Sequence, residues 1–67
     1  MNRDQALSIK AKALAAIEEL ASVLSIVEGK VPDGEFEQVK KGIGRAIGSI
    51  EIQVNAHLYR QFPDLEQ

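Results

Sequence analysis

Cysteine and tryptophan are both absent from this 67-residue chain, which has only two prolines and one histidine. Without cysteine there is neither a disulfide scaffold nor a thiolate zinc site, which excludes the extracellular mini-proteins and zinc fingers of this size. A lone histidine without clustered acids cannot form a metal site. We therefore expect no metal and no cofactor.

Long apolar runs are also missing. No stretch approaches the roughly 20 apolar residues that a membrane span needs, and the N-terminal residues 1–5 lack the basic and then apolar order of a signal peptide. We expect a cytoplasmic protein that does not associate with membranes. The net charge of -2 disfavours binding driven by nucleic-acid phosphates.

The apolar residues that are present predict two long helices. In the first, from 3 to 28, apolar residues recur at steps of three and four. Asn2 and Gln5 have the spacing of a capping box, and Gly29 suits the left-handed position that ends a helix. A turn over 29–33 follows, in which we expect Asp33 to cap the second helix.

The second helix is predicted over 34–61, with His57 and Leu58 on its core face. Alternation of apolar and polar residues over Ile50–Val54 suggests a strand instead, but the helical period persists over a much longer segment. The predicted fold class is therefore all-α, a single domain (1–67) formed by an antiparallel helical hairpin with a short tail over 62–67.

The apolar stripe of each helix is too wide for one neighbouring helix to cover. We therefore expect two copies to associate, most simply as a homodimeric four-helix bundle. The residues expected to bury in self-association are Leu7, Leu14, Ile17, Leu20, Leu24, Val39, Ile43, Ile47, Ile50 and Val54.

Gly42, Gly44 and Gly48 lie within seven residues in the interior of the second helix, where each costs about 0.8–1 kcal/mol relative to alanine. Small residues four apart let another helix approach closely. On a continuous α-helix, the glycines four residues apart share one side with three later residues. This side is a candidate second contact face for another copy or an unidentified protein partner. The other interpretation is that the glycines are merely tolerated on the surface. The members of this face are Gly44, Gly48, Ile52, Asn55 and Tyr59.

The segment Lys40–Arg45 suggests an alternative function. Its Gly-Ile-Gly resembles the hairpin of the helix-hairpin-helix DNA module, and Lys40, Lys41 and Arg45 supply positive charge. Lysines stand where that motif has its hydrophobic residue and its proline. The module would require the second helix to break at Gly42–Gly44.

Catalytic residues are not recognisable. His57 is the single side chain with an ordinary pKa near neutrality, and Val54 stands where a di-iron bundle motif would have glutamate. We therefore predict a non-enzymatic interaction module or regulatory subunit. Phe62 and Leu65 in the tail are expected either to cover the open end of the hairpin or to form a linear docking motif.

Overall fold

The computed structural model describes residues 1–66, whose regular structure is entirely helical. The helix α1 spans Arg3–Val27 and α2 spans Asp33–Ser49. A π-helical segment, Ile50–Asn55, joins α2 to the short helix α3, Ala56–Gln61. A 3-10 helix, Pro63–Glu66, follows. The last residue of the predicted tail, Gln67, lies outside the described residues.

The ends of α1 are built as the sequence indicates. Asn2 Oδ1 accepts a hydrogen bond from the Gln5 amide at 2.8 Å, and Gln5 Oε1 accepts one from the Asn2 amide at 2.9 Å. This confirms the predicted capping box, which satisfies amides that have no partner within the helix. At the other end Gly29 has a φ of 75°, a conformation that glycine adopts without steric cost.

The start of α2 differs from the prediction. Pro32 occupies the N-cap position without a side-chain hydrogen bond, and Asp33 lies in the first turn. The predicted Asp33 cap is therefore wrong, although a carboxylate there still interacts favourably with the positive end of the helix. From Asp33 to Ser49 the helix is continuous, so the break that a helix-hairpin-helix module requires at Gly42–Gly44 does not occur.

The π-helical segment coincides with the alternating stretch. Its residues are helical, as predicted, but a π turn pairs each amide with a carbonyl five residues back and so holds extra residues per turn. Every side chain beyond it is therefore rotated about the helix axis relative to a continuous α-helix.

The two arms form an elongated hairpin whose ends meet. The described residues extend over 46 × 18 × 16 Å. Ala6, near the start of α1, forms a buried cluster with Leu58 of α3 and Leu65 of the 3-10 helix, and Tyr59 and Phe62 pack against this cluster. The tail therefore covers the open end of the hairpin, as the first of the two predictions for it states.

No helix within residues 1–66 combines the length and the apolar character that a membrane span requires.

Candidate binding surfaces

The residues predicted for self-association are only partly covered by the hairpin. On α1, Leu7 and Leu14 are 43% and 46% exposed, while Ile17, Leu20 and Leu24 are half-buried. The five predicted residues on the second arm, which consists of α2 and the π-helical segment, are all half-buried, and no residue of α2 is fully buried. This second set comprises Val39, Ile43, Ile47, Ile50 and Val54. The hairpin therefore covers the stripe incompletely, and Leu7 and Leu14 are its exposed members.

Leu7 and Leu14 are exposed because α1 faces the rest of the hairpin through a different line of residues. Ala6 and Ala13 are buried on that line, with Lys10 half-buried between them. The spacing of four and then three residues is helical. Ala13 belongs to the apolar stripe that the sequence predicts, but sequence reasoning missed Ala6 and Lys10, because alanine is a weak hydrophobic signal and lysine is charged.

The five residues of the candidate second contact face do not all lie on one exposed surface. Gly44 and Ile52 are exposed and Gly48 is half-buried, and a methyl group added at either glycine would meet nothing within 4 Å. Asn55, however, is 5% exposed, and Tyr59 packs against the core cluster. Their predicted place on the outer face is wrong, because the π-helical segment turns both towards α1.

The same rotation moves the histidine. His57, predicted on the core face, is exposed, and its Nε2 lies 3.2 Å from the side-chain amide nitrogen of Gln61, which donates to it. Leu58 is buried, as predicted, with 1% of its surface exposed.

The π-helical segment, α1, α3 and the 3-10 helix together line a groove of about 370 Å³. Its walls combine apolar, acidic and amide side chains: Leu14, Ile17, Glu51, Asn55, Tyr59 and Glu66. Within residues 1–66, the buried Oδ1 of Asn55 has no hydrogen-bond partner. A broader depression of about 570 Å³ near the N-terminus is formed by residues of Met1–Ile9 alone, so no second element encloses it.

Polar contacts tie the tail to α1. The ammonium of Lys10 donates a hydrogen bond to the Leu65 carbonyl and lies 5.7 Å from the centre of the Tyr59 ring. Arg3 forms an ion pair with Asp64 on the surface. The hydrogen bond from Arg3 lowers the pKa of the Asp64 carboxyl, and the same contact raises the pKa of Arg3.

The basic patch of Lys40, Lys41 and Arg45 is exposed along α2. None of the three forms an ion pair with another residue of the described chain. Because the helix beneath them is continuous, their backbone amides are engaged within α2 and cannot grip a phosphate as the hairpin of a helix-hairpin-helix module does.

Across residues 1–66, no three histidine, cysteine or acidic side chains are grouped to hold a metal ion. Comparison with protein-family models found no match, and neither a curated protein nor a solved structure was found to be similar. Function is therefore inferred from the surfaces described above.

Proposed function

We propose that this chain is a non-enzymatic helical protein that self-associates, as a homodimeric four-helix bundle, and acts as a protein–protein interaction module or regulatory subunit. One observation carries the proposal: α2 contains no buried residue, although apolar side chains recur along one face of it. A helix with an apolar stripe is stabilised mainly by packing that stripe against another surface.

The overall dimensions support the same proposal. The accessible surface is 4839 Å², whereas a globular monomer of this mass exposes about 4,200 Å². The radius of gyration is 14.7 Å, compared with about 11 Å for a compact chain of this length. The excess surface is what a docked second hairpin would cover.

Four hydrophobic side chains, Ala6, Ala13, Leu58 and Leu65, are buried in the described chain. Two of them are alanines, so this core supplies little of the apolar burial that offsets the conformational entropy of folding. A second copy would add apolar burial along the stripe, and association contributes directly to the stability of the folded state.

The test is the solution mass, measured by sedimentation over a range of micromolar concentrations. We expect twice the monomer mass of 7.3 kDa. Leu14→Asp should shift the mass to that of the monomer, because the new charge would be buried at the interface. Since Leu14 is 46% exposed in the hairpin, the variant keeps its charge hydrated as a monomer, and circular dichroism reports whether it remains helical.

Ile26→Asp is the matched control. Ile26 is 63% exposed on the same helix and lies outside the residues proposed for self-association, so this variant should keep the dimer mass. A helical wild-type chain that sediments as a monomer at every concentration would refute the proposal.

Gly48→Leu tests the second contact face. If another helix packs over Gly48, the added side chain prevents its close approach and association weakens. If Gly48 faces only solvent, the mass stays unchanged and stability increases, because leucine favours the helix more than glycine does.

Nucleic-acid binding by Lys40, Lys41 and Arg45 is the alternative function. It would depend strongly on salt, because lysine and arginine displace counterions from phosphates. A duplex titration at low ionic strength tests it: absence of binding excludes this alternative, whereas binding that falls steeply with salt favours it.

A further inference from the structure

Asn55 lines the groove and carries an occluded, unsatisfied polar group beside it. The residue is 5% exposed, and its Oδ1 accepts no hydrogen bond from residues 1–66. A buried acceptor without a donor destabilises the folded state, so nearly all such groups in proteins have a partner. An apolar side chain of similar size would avoid this cost. The unpaired oxygen of Asn55 is therefore available to a donor from outside the described residues.

The backbone at this position is also unusual. Asn55 ends the π-helical segment, and the extra residues of that segment turn its side chain towards α1. In a continuous α-helix the side chain would lie on the outer face with Gly44 and Gly48, where water would satisfy it. Single π turns occur frequently at functional sites.

The side chains around Asn55 specify what kind of donor the groove suits. Glu51 and Glu66 line the groove, so their carboxylates favour a positively charged group. Leu14 and Ile17 form an apolar wall, and the volume of about 370 Å³ falls within the range of small-ligand sites.

We propose that this groove binds a small organic cation, an alkylguanidinium or alkylammonium. Its N–H groups donate to Asn55 Oδ1 and to the carboxylates of Glu51 and Glu66, while its alkyl stem rests on Leu14 and Ile17. Because Asn55 Oδ1 is occluded in the free chain, its amide or the neighbouring Tyr59 must shift slightly when the cation enters.

The proposal does not require self-association, but the two involve the same residues, Leu14 and Ile17. If a second copy covers these residues, it competes with the cation, and the apparent dissociation constant rises with protein concentration. Binding is therefore measured at two protein concentrations and extrapolated to the monomer.

The experiment is a titration of the full chain with n-butylguanidinium at low salt, followed by amide chemical shifts. We expect saturable shifts confined to the groove and weakened by added salt. The neutral alcohol n-pentanol has a comparable apolar stem without the charge, and it should give no saturable shifts there.

Asn55→Leu is the most informative variant, because the proposal predicts opposite effects on the stability of the free protein and on its affinity for the cation. It should raise the urea midpoint of the free protein, since the unsatisfied acceptor is gone. It should also weaken cation binding by about tenfold or more. Glu51→Gln, at an exposed position, should keep the fold and weaken binding by about two- to fivefold. Gln53→Leu removes an exposed amide from the same segment and should leave binding unchanged.

Three outcomes would overturn the proposal. Shifts that are equal for the alcohol and the cation would mean apolar contact alone. An unchanged affinity in Asn55→Leu would remove the role of the amide. If no probe binds and Asn55→Leu instead weakens self-association, the donor belongs to a second copy of the chain and not to a small molecule.

Discussion

The ammonium of Lys10 donates a hydrogen bond to the carbonyl of Leu65, which lies 55 residues further along the chain. This contact joins the first turns of α1 to the 3-10 helix after α3 and lies beside the cluster of Ala6, Leu58 and Leu65. Lysine at this position therefore closes the hairpin, although its side chain has the chemistry of a surface residue.

Lys10→Met should destabilise the fold by about 1–2 kcal/mol, because it removes a charge-assisted hydrogen bond and a cation–π contact while keeping the apolar stem. Urea unfolding measures the change. Lys12→Met is the control, since Lys12 is exposed on the same helix, and it should change stability by less than about 0.5 kcal/mol. Equal effects of the two variants would contradict a structural role for Lys10.

Leu58→Ala should cost about 2–5 kcal/mol, because it leaves a cavity in the small buried cluster. In a protein with so few buried side chains, a loss of this size should leave much of the population unfolded at 25 °C, which far-ultraviolet circular dichroism would detect. Ile52→Ala serves for comparison because Ile52 is 67% exposed. A folded Leu58→Ala variant with unchanged melting would show that the cluster contributes little.

Alanine at Gly44 or Gly48 should stabilise the free hairpin by about 0.8–1 kcal/mol at each position. The added methyl group meets nothing within 4 Å, so the gain in helix propensity has no steric cost. Thermal melting of dilute protein measures this gain. Gly29→Ala should have the opposite sign, because its φ of 75° strains any residue with a Cβ by about 1–2 kcal/mol.

The ion pair between Arg3 and Asp64 should make stability depend on pH in the acid range. The hydrogen bond from Arg3 lowers the pKa of Asp64 in the folded state below its usual value of 3.8. The contribution of the ion pair to folding stability is therefore complete above the pKa of Asp64 in the unfolded chain. It is lost as the pH falls through the lower pKa of Asp64 in the folded protein. The effect is small because both side chains are about half exposed.

Urea unfolding of the wild type and of Asp64→Asn between pH 2 and about 6 measures this dependence. The two stability curves should differ near neutral pH and converge at the acid end. Arg3→Gln removes the other partner and should give the same pH profile as Asp64→Asn. A difference between wild type and Asp64→Asn that persists unchanged at the lowest pH would exclude the ion pair as its origin.

Local sequence signals were sufficient for most element boundaries. The capping residues Asn2 and Gln5 and the left-handed Gly29 act within a few residues of chain, so each determines its own helix end whatever surrounds it. The predicted ends of the helices at 28 and 61 accordingly lie within one residue of the observed ends, Val27 and Gln61.

The faces of the second arm could not be derived in the same way. The sequence predicts helix over Ile50–Asn55, but α- and π-turns there differ by a small shift in hydrogen bonding that the packing of the two arms decides. That shift rotates all later residues. It exchanges the predicted positions of His57 and Asn55 relative to α1 and places an amide in the groove.

The sequence by itself determined that this chain is helical, where its two arms begin and end, and that its apolar residues form stripes. Those properties follow from local hydrogen bonding, backbone sterics and periodicity. Only the tertiary structure decided which part of each stripe is covered. Burial depends on the rotation of one helix against another, and here Ala6, Lys10 and Ala13 meet the second arm while Leu7 and Leu14 remain half exposed.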